Sequence, residues 1–195
     1  MAFLRSINQI DTGPGIVGQG VFLRTPQSAD YFQWQAVREE SRVFLTPWEP
    51  TWPKNDLSRA SYRQRIKRYA KDMRRDEAYP FFIFDENREI LLGGLTLSNV
   101  RRGVTQSCSL GYWIGVSQKS KGNMSAAVRA IIPFVFKTLR LHRLEAACLP
   151  TNEPSVRLLK KAGFQEEGLA RQYLRINGSW QDHILFALVN DDPHP

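Results

Sequence analysis

Cysteine is scarce in this chain. The 195 residues contain two, Cys108 and Cys148, each in apolar surroundings. That is too few for a disulfide framework or a zinc site, so two buried, reduced thiols are expected. Long apolar runs are missing as well: AIIPFVF and ILLGGLTL fall well short of the ~20 residues of a membrane-spanning helix. The opening MAFLRSINQIDTGPGIVGQG lacks the basic start and unbroken apolar stretch of a secretory leader. A cytoplasmic protein without a membrane partner is expected. Neither a Ser/His/Asp order nor a metal-ligand cluster is visible, and no metal is expected.

Acidic residues are the minority charge, with 19 Asp and Glu against 27 Lys and Arg, a net charge of +8. The excess is concentrated. Residues 54–75 hold Lys54, Arg59, Arg63, Arg65, Lys67, Arg68, Lys71, Arg74 and Arg75 against Asp56 and Asp72, a local balance of +7. Such a segment either solvates a helix face or raises the encounter rate with phosphate-rich partners such as RNA. At 42% hydrophobic and 24% charged, the chain can bury a core, which excludes wholesale disorder. Its length suits one domain, residues 1–195, with a core over about 20–190.

Patterning predicts the order β-α-α-β-β-β-α-β-α-β-β. A turn-rich stretch from Asp11 to Gly20 precedes a strand at 21–24. Ser28 is read as the N-cap of a helix through about Leu45, with Phe32, Ala36, Val37 and Phe44 near helical spacing. Pro47, Pro50 and Pro53 then forbid a helix. A second helix from about Ser58 to Glu77 carries the apolar stripe Tyr62, Ile66, Tyr69 and Met73. YPFFIFD, EILLGGLTLSNV and VTQSCSLGYWIGV form an antiparallel meander. A helix follows over about 123–139, with Pro133 expected to kink it or sit in an unusual turn. Next come the strand HRLEAACLP, a helix from about Glu153 to Ala162, and two strands joined at Asn177-Gly178, a strong hairpin signal. The tail NDDPHP is expected to fray. This is an α+β architecture, a mixed and mostly antiparallel sheet flanked by helices.

Two junctions could carry chemistry. In GYWIGVSQKSKGNMSAAVRAI, residues 111–131, a strand runs through a short basic loop into a helix. Unpaired helix-start amides and the positive dipole end, with Lys119 and Lys121 beside them and the unencumbered Gly122, suit an anion. The pattern is neither a P-loop nor a dinucleotide fingerprint. In HRLEAACLPTNEPSVRLLKKAGFQEEG, residues 142–168, Asn152 and Ser155 stand at a helix entrance, where capping is their plainest role.

Together these junctions resemble the two central motifs of the GNAT acetyltransferase superfamily. GYWIG, GNMSAA, NEPS, LLKKAGF, EEGLAR and NGSWQDHILFAL further resemble its Rim-type, RimJ-like branch, which acetylates the N-terminal alanine of a small-subunit ribosomal protein. The resemblance spans about residues 20–190 and is densest after Gly111. It implies a splayed sheet that holds acetyl-CoA, as acyl donor, in a V between GYWIGV and the strand ending in CLP. Pantetheine would pair with the backbone of Ile114, Gly115 and Val116. The pyrophosphate would sit on amides from Lys119 to Ser125, which includes Lys121, Gly122, Asn123 and Met124. Asn152 would meet the pantetheine arm or thioester, and Ser155 would protonate the departing thiolate.

The loop departs from the superfamily pattern at Lys119 and Met124, both compatible with phosphate binding. A tyrosine that many members carry on the last helix is Leu159 here, which moves the acid role to Ser155. The chemistry implied is direct attack by a neutral amine on the thioester. An α-amine, with a pKa of about 7.7–8.0, needs less help from a base than a lysine near about 10.4. Glu49 and Asp182 are the candidate bases; their plainer readings are a loop-capping Glu and a strand-edge Asp. Trp48 and Trp52 would either wall the acceptor groove, with Glu49, or pin a stiff loop. Trp34, Trp113 and Trp180 are expected in the core. His142 and His183 are expected in structural or surface roles.

Three functions stay open on the residues. The first is an N-terminal acetyltransferase acting on a protein, with the basic helix at 58–77 offering a ribosome or RNA contact. The second is a GNAT enzyme acting on a small-molecule amine, with polyamines disfavoured by the basic charge. The third is a ribosome- or RNA-binding module with a vestigial CoA site.

Overall fold

In the computed structural model, which describes residues 15–193, the predicted meander forms the middle of an eight-stranded sheet. Strands β1 (Ile16–Gly18), β2 (Val21–Arg24), β3 (Tyr79–Asp85), β4 (Leu91–Arg101), β5 (Ser107–Ile114), β6 (Arg143–Cys148), β7 (Gln165–Ile176) and β8 (Ser179–Val189) lie in the order β1-β2-β3-β4-β5-β6-β8-β7. Every neighbouring pair is antiparallel except β5 and β6. This is the mixed, mostly antiparallel sheet expected. β1 falls inside the stretch read as turns, because its three residues extend the β2 edge through a tight reversal at Gly20.

β3 shows why this sheet needs helices on both faces. Its run YPFFIFD is buried nearly throughout. Phe81 and Ile83 face one cluster with Leu95, Leu97, Ile131, Leu144 and Phe186. Phe82 and Phe84 face another with Tyr31, Trp34, Tyr62 and Ile66. Strand alternation assigns the two sets to opposite faces. α4 (Asn123–Pro133) and α5 (Glu153–Lys161) supply the first cluster; α1 (Tyr31–Glu40) and α3 (Arg59–Arg74) supply the second. Cys108 and Cys148 are both free and buried.

Several sequence expectations shift. The first predicted helix is broken. A 3-10 turn over Ser28–Asp30 leads into α1, and Ser41 interrupts the run before α2 (Arg42–Leu45). Ser28 is not the cap: Asp30 instead takes the Gln27 amide at 2.7 Å and both Arg24 guanidinium nitrogens. Starting at Tyr31, α1 turns Tyr31, Trp34 and Arg38 inward, which leaves Ala36 exposed and Phe32 67% exposed. Ser41 is buried at the break because its Oγ accepts the Val116 amide at 2.9 Å. Along α3, Tyr62, Ile66 and Ala70 are buried, while Tyr69 and Met73 are half-buried.

Pro133 does not kink α4. It ends it at the unusual turn that the sequence allows as the alternative: Phe134–Thr138 continues as a π turn. Proline has no amide to donate, and the widened turn closes with the Leu139 amide on the Phe134 carbonyl at 2.8 Å. Trp34 is buried and Trp113 half-buried, but Trp180 is 61% exposed on the outer hairpin and leaves the core. Within the described residues the tail is pinned as far as Asp192, which takes the Val189 amide at 3.0 Å, and through the Asn190 amide, which donates to the His142 carbonyl. His194 lies outside the described residues.

Candidate active site

β5 and β6 pair only over Ser107–Leu110 and Arg143–Ala146, although β5 continues to Ile114 and β6 to Cys148. Past that point the strands part and leave a V. The Gly115 amide donates to the Leu92 carbonyl at 2.8 Å, so Leu92 and Gly115 form a hydrogen-bonded pair of the β4–β5 ladder. The adjacent pair, Gly93 and Ile114, is therefore non-hydrogen-bonded. Strand alternation turns the Ile114 backbone groups toward the open side of β5.

A cleft of about 440 Å³ fills the V. On one side it is lined by Ile114, Lys119, Gly122, Asn123, Met124 and Ser125. Gly122 holds φ +84°, a conformation that favours glycine, and no side chain caps the helix that follows. The first intrahelical amide bond of α4 is Ala126 to Gly122 at 3.0 Å. The amides of Asn123, Met124 and Ser125 are thus left without intrahelical acceptors, at the positive end of the helix dipole. Arg157 and Lys161 of α5 add cationic charge to the lining. These donors suit the phosphates of a nucleotide-bearing donor such as a coenzyme A thioester.

Asn152 caps α5, its Oδ1 accepting the Ser155 amide at 3.3 Å. Ser155 is only 9% exposed, and its Oγ lies 2.7 Å from the Tyr112 hydroxyl. Burial pushes the Tyr112 phenol well above its usual pKa, against the opposing pull of the Ser155 hydrogen bond. Burial also raises the Cys148 thiol. Tyr112 was not singled out from the sequence, because an aromatic in a strand reads as core. The available signal was alternation along β5, which puts Tyr112 on the face of α4 and α5 and Trp113 on the other.

Across the cleft stand Trp48 and Glu49. The Glu49 carboxylate takes both Arg38 guanidinium nitrogens, at 2.7 and 2.6 Å, and the Trp52 indole N–H at 2.7 Å. Arg38, only 7% exposed, lies over the Trp52 ring at 4.0 Å and the Trp113 ring at 4.9 Å. Trp52 therefore braces this assembly from behind and is not among the lining residues. The Glu49 carbonyl accepts the Asn177 amide at 2.9 Å, tying the proline-rich loop to the β7–β8 hairpin.

The structure brings most of the sequence candidates together; besides Trp52, four stand apart. The Gly115 amide is spent on Leu92 and the Val116 amide on Ser41, so of the three residues expected to pair with pantetheine only Ile114 lines the cleft. Lys121 is exposed and outside the lining. Asp182 is absent from the lining too. Its Oδ1 accepts the Gln172 amide at 2.8 Å and holds a bulge of β7, where Gln172 has φ +46°. His183 is buried against Tyr173, with Nδ1 3.0 Å from the Gln181 carbonyl, and His142 is exposed.

A splayed sheet with an uncapped helix start in its V defines a class. The chain belongs to the GNAT acetyltransferases, whose acetyltransferase (GNAT) domain model matches residues 21–165; it is a GNAT N-acetyltransferase. Within that class its relatives include one named for a ribosomal protein. It is 36% identical over 167 residues to the [ribosomal protein uS5]-alanine N-acetyltransferase of Escherichia coli, covering 86% of this chain and 83% of that one. It is 34% identical over 175 residues to the probable N-acetyltransferase YjcK of Bacillus subtilis, with 90% and 97% covered. Mycobacterium smegmatis RimJ, solved in complex with CoA-disulfide, superposes with a TM-score of 0.86 at 32% identity, covering 93% of this chain and 88% of that one. Among the described residues no helix is long and apolar enough to cross a membrane.

Proposed function

We propose that this chain works as one domain that transfers acetyl from acetyl-CoA to the N-terminal α-amine of a protein. The acceptor favoured by the E. coli relative is an alanine terminus of a small-subunit ribosomal protein. One observation carries this reading: a single cleft joins an anion-ready helix start, a buried Ser155–Tyr112 hydroxyl pair and the braced carboxylate of Glu49. Acetyl-CoA supplies the activated acyl group, with the α4 amides, Lys119 and the open edge at Ile114 to receive it.

In the reaction read here, the acceptor nitrogen forms a bond to the acyl carbon, the carbon–sulfur bond breaks, and the electron pair leaves on sulfur. A backbone amide on the open edge of β5 can stabilise charge on the carbonyl oxygen, an effect of about 3–4 kcal/mol per well-placed donor. Ser155 gives its proton to the departing thiolate as the Tyr112 hydroxyl donates to its Oγ; water then returns a proton to the pair, which rests with the phenol protonated because Tyr112 is buried. The acceptor's surplus proton passes to water or to Glu49. Both Glu49 oxygens are held by Arg38, which fixes the carboxylate where it can position the acceptor's terminus. Asp182, tied into its bulge, has no part in this scheme.

CoA release tests the proposal. Wild type and Ser155→Ala would be given acetyl-CoA with an alanine-initiated ribosomal-protein peptide, the same peptide with a blocked terminus, or a polyamine. Release only with the free terminus is expected, with kcat down about 10²-fold in the variant, the low end for general acid–base catalysis. Equal release with the blocked peptide or the polyamine would move the acceptor to a side chain or small amine. An unchanged Ser155→Ala would remove the acid role.

A further inference from the structure

α3 has a second groove on its outer face, lined by Ser28, Arg63, Ile66, Lys67, Ala70, Lys71 and Arg74. It shares no residue with the cleft between β5 and β6. The cations of this helix divide sharply by use. Arg65 is paired with Asp56 at 2.9 Å and lies over Trp34; Arg59 lies over Tyr31 and Phe32; Arg68 lies over Tyr69. The four that line the groove, Arg63, Lys67, Lys71 and Arg74, make no ion pair, side-chain hydrogen bond or ring contact among the described residues. At 3.6 residues per turn they occupy an arc of roughly 80° and extend about 16 Å along the axis. Four unspent cations on one stripe repel one another, and nothing on the stripe offsets that cost within the described chain.

We propose that this stripe is a docking surface for the phosphodiester backbone of double-stranded RNA. Charge complementarity commits the surface to a polyanion. The geometry selects among polyanions. Ile66 and Ala70 are buried at the groove's floor, and no large apolar side chain of α3 is strongly exposed. The face therefore offers nothing to wedge into a lipid interface, as membrane-surface helices do. It also has no exposed aromatic platform on which single-stranded bases would stack. What it offers is an array of point charges that reads backbone and not sequence. The choice of RNA over DNA rests on the proposed ribosomal acceptor; the charge argument does not.

Fluorescence anisotropy of the full chain with a labelled 20-base-pair RNA duplex, across 50–200 mM salt, tests this without any acetyl-transfer readout. Four phosphate contacts predict a log–log salt slope near about −3.6 and a loss of about 10²-fold in affinity over that range. The triple variant R63Q/K67Q/K71Q should flatten the slope by about 3, with acetyl-CoA affinity unchanged. The charge-matched control K137Q/R140Q/R171Q, at exposed cations elsewhere, should keep the wild-type slope. Equal weakening by both triples would reduce the effect to net charge and overturn the proposal. So would tighter binding to a DNA duplex of equal length, tighter binding to phosphatidylserine vesicles, or no RNA binding at 50 mM salt. Failure of the acceptor reading shows separately, as CoA release without α-amine selectivity.

Discussion

Ser155 and Tyr112 share a hydrogen bond in which either oxygen can donate, so removing the two hydroxyls has unequal consequences. On the proposed reaction, Ser155→Ala removes the proton donor to the thiolate. Tyr112→Phe leaves Ser155 in position and removes its resupply. Tyr112→Phe is therefore expected to lower kcat about tenfold, less than Ser155→Ala and below the usual range for direct acid–base groups, with KM for acetyl-CoA unchanged. Steady-state kinetics of the two single variants and the double checks this; a double variant no worse than Ser155→Ala places both on one path. Cys108 gives a pH prediction at the same scale. Burial pushes its thiol from 9.0 up to about 12. The folded protein keeps that proton between those values while the unfolded chain loses it, so stability falls as pH rises through the window. Urea unfolding of wild type and Cys108→Ala should show a stability gap that shrinks from pH 8 to pH 10.

Among the elements, the helix boundaries are where sequence and structure can be compared term by term. Ser58, read from sequence as the start of α3, is its N-cap, with Oγ accepting the Ser61 amide at 3.2 Å. Ser58→Ala should cost about 1 kcal/mol, seen as a fall in Tm of about 2–4 °C for a domain of this size. Ser28, which the sequence suggests as an N-cap, is not one, because a carboxylate two residues on, fixed by Arg24, organises that turn more strongly than a hydroxyl. The break at Ser41 was illegible. It exists because the Val116 amide needs an acceptor, and that amide lies 75 positions away. Pro133 is legible as a kink or an unusual turn; the choice of the π turn depends on where Phe134 and Phe136 find packing.

For the molecule as a whole, the β5–β6 junction is the keystone, since it joins the antiparallel meander to the β6–β8–β7 half. Leu144 is fully buried there, opposite Cys108 on β5 and Leu188 on β8. Leu144→Ala should cost about 2–5 kcal/mol, read as a Tm lower by about 5 °C or more in calorimetry. The same junction opens the V, so the variant should also weaken acetyl-CoA binding, measured by isothermal titration.

The sequence by itself determined the order of the main elements apart from β1 and the break at Ser41, the hairpin at Asn177-Gly178, and the basic loop feeding a helix at Gly122. Each is written in residues that are neighbours along the chain, where turn chemistry, period and caps act over a few positions. Only the tertiary structure decided which candidates meet. It placed Tyr112 beside Ser155 across 43 positions, turned Glu49 rather than Asp182 toward the cleft, and sent Trp180 to the surface. Those outcomes follow from strand order and register, set by the packing of distant segments; shifting a strand by one residue would move every one of its side chains to the other face.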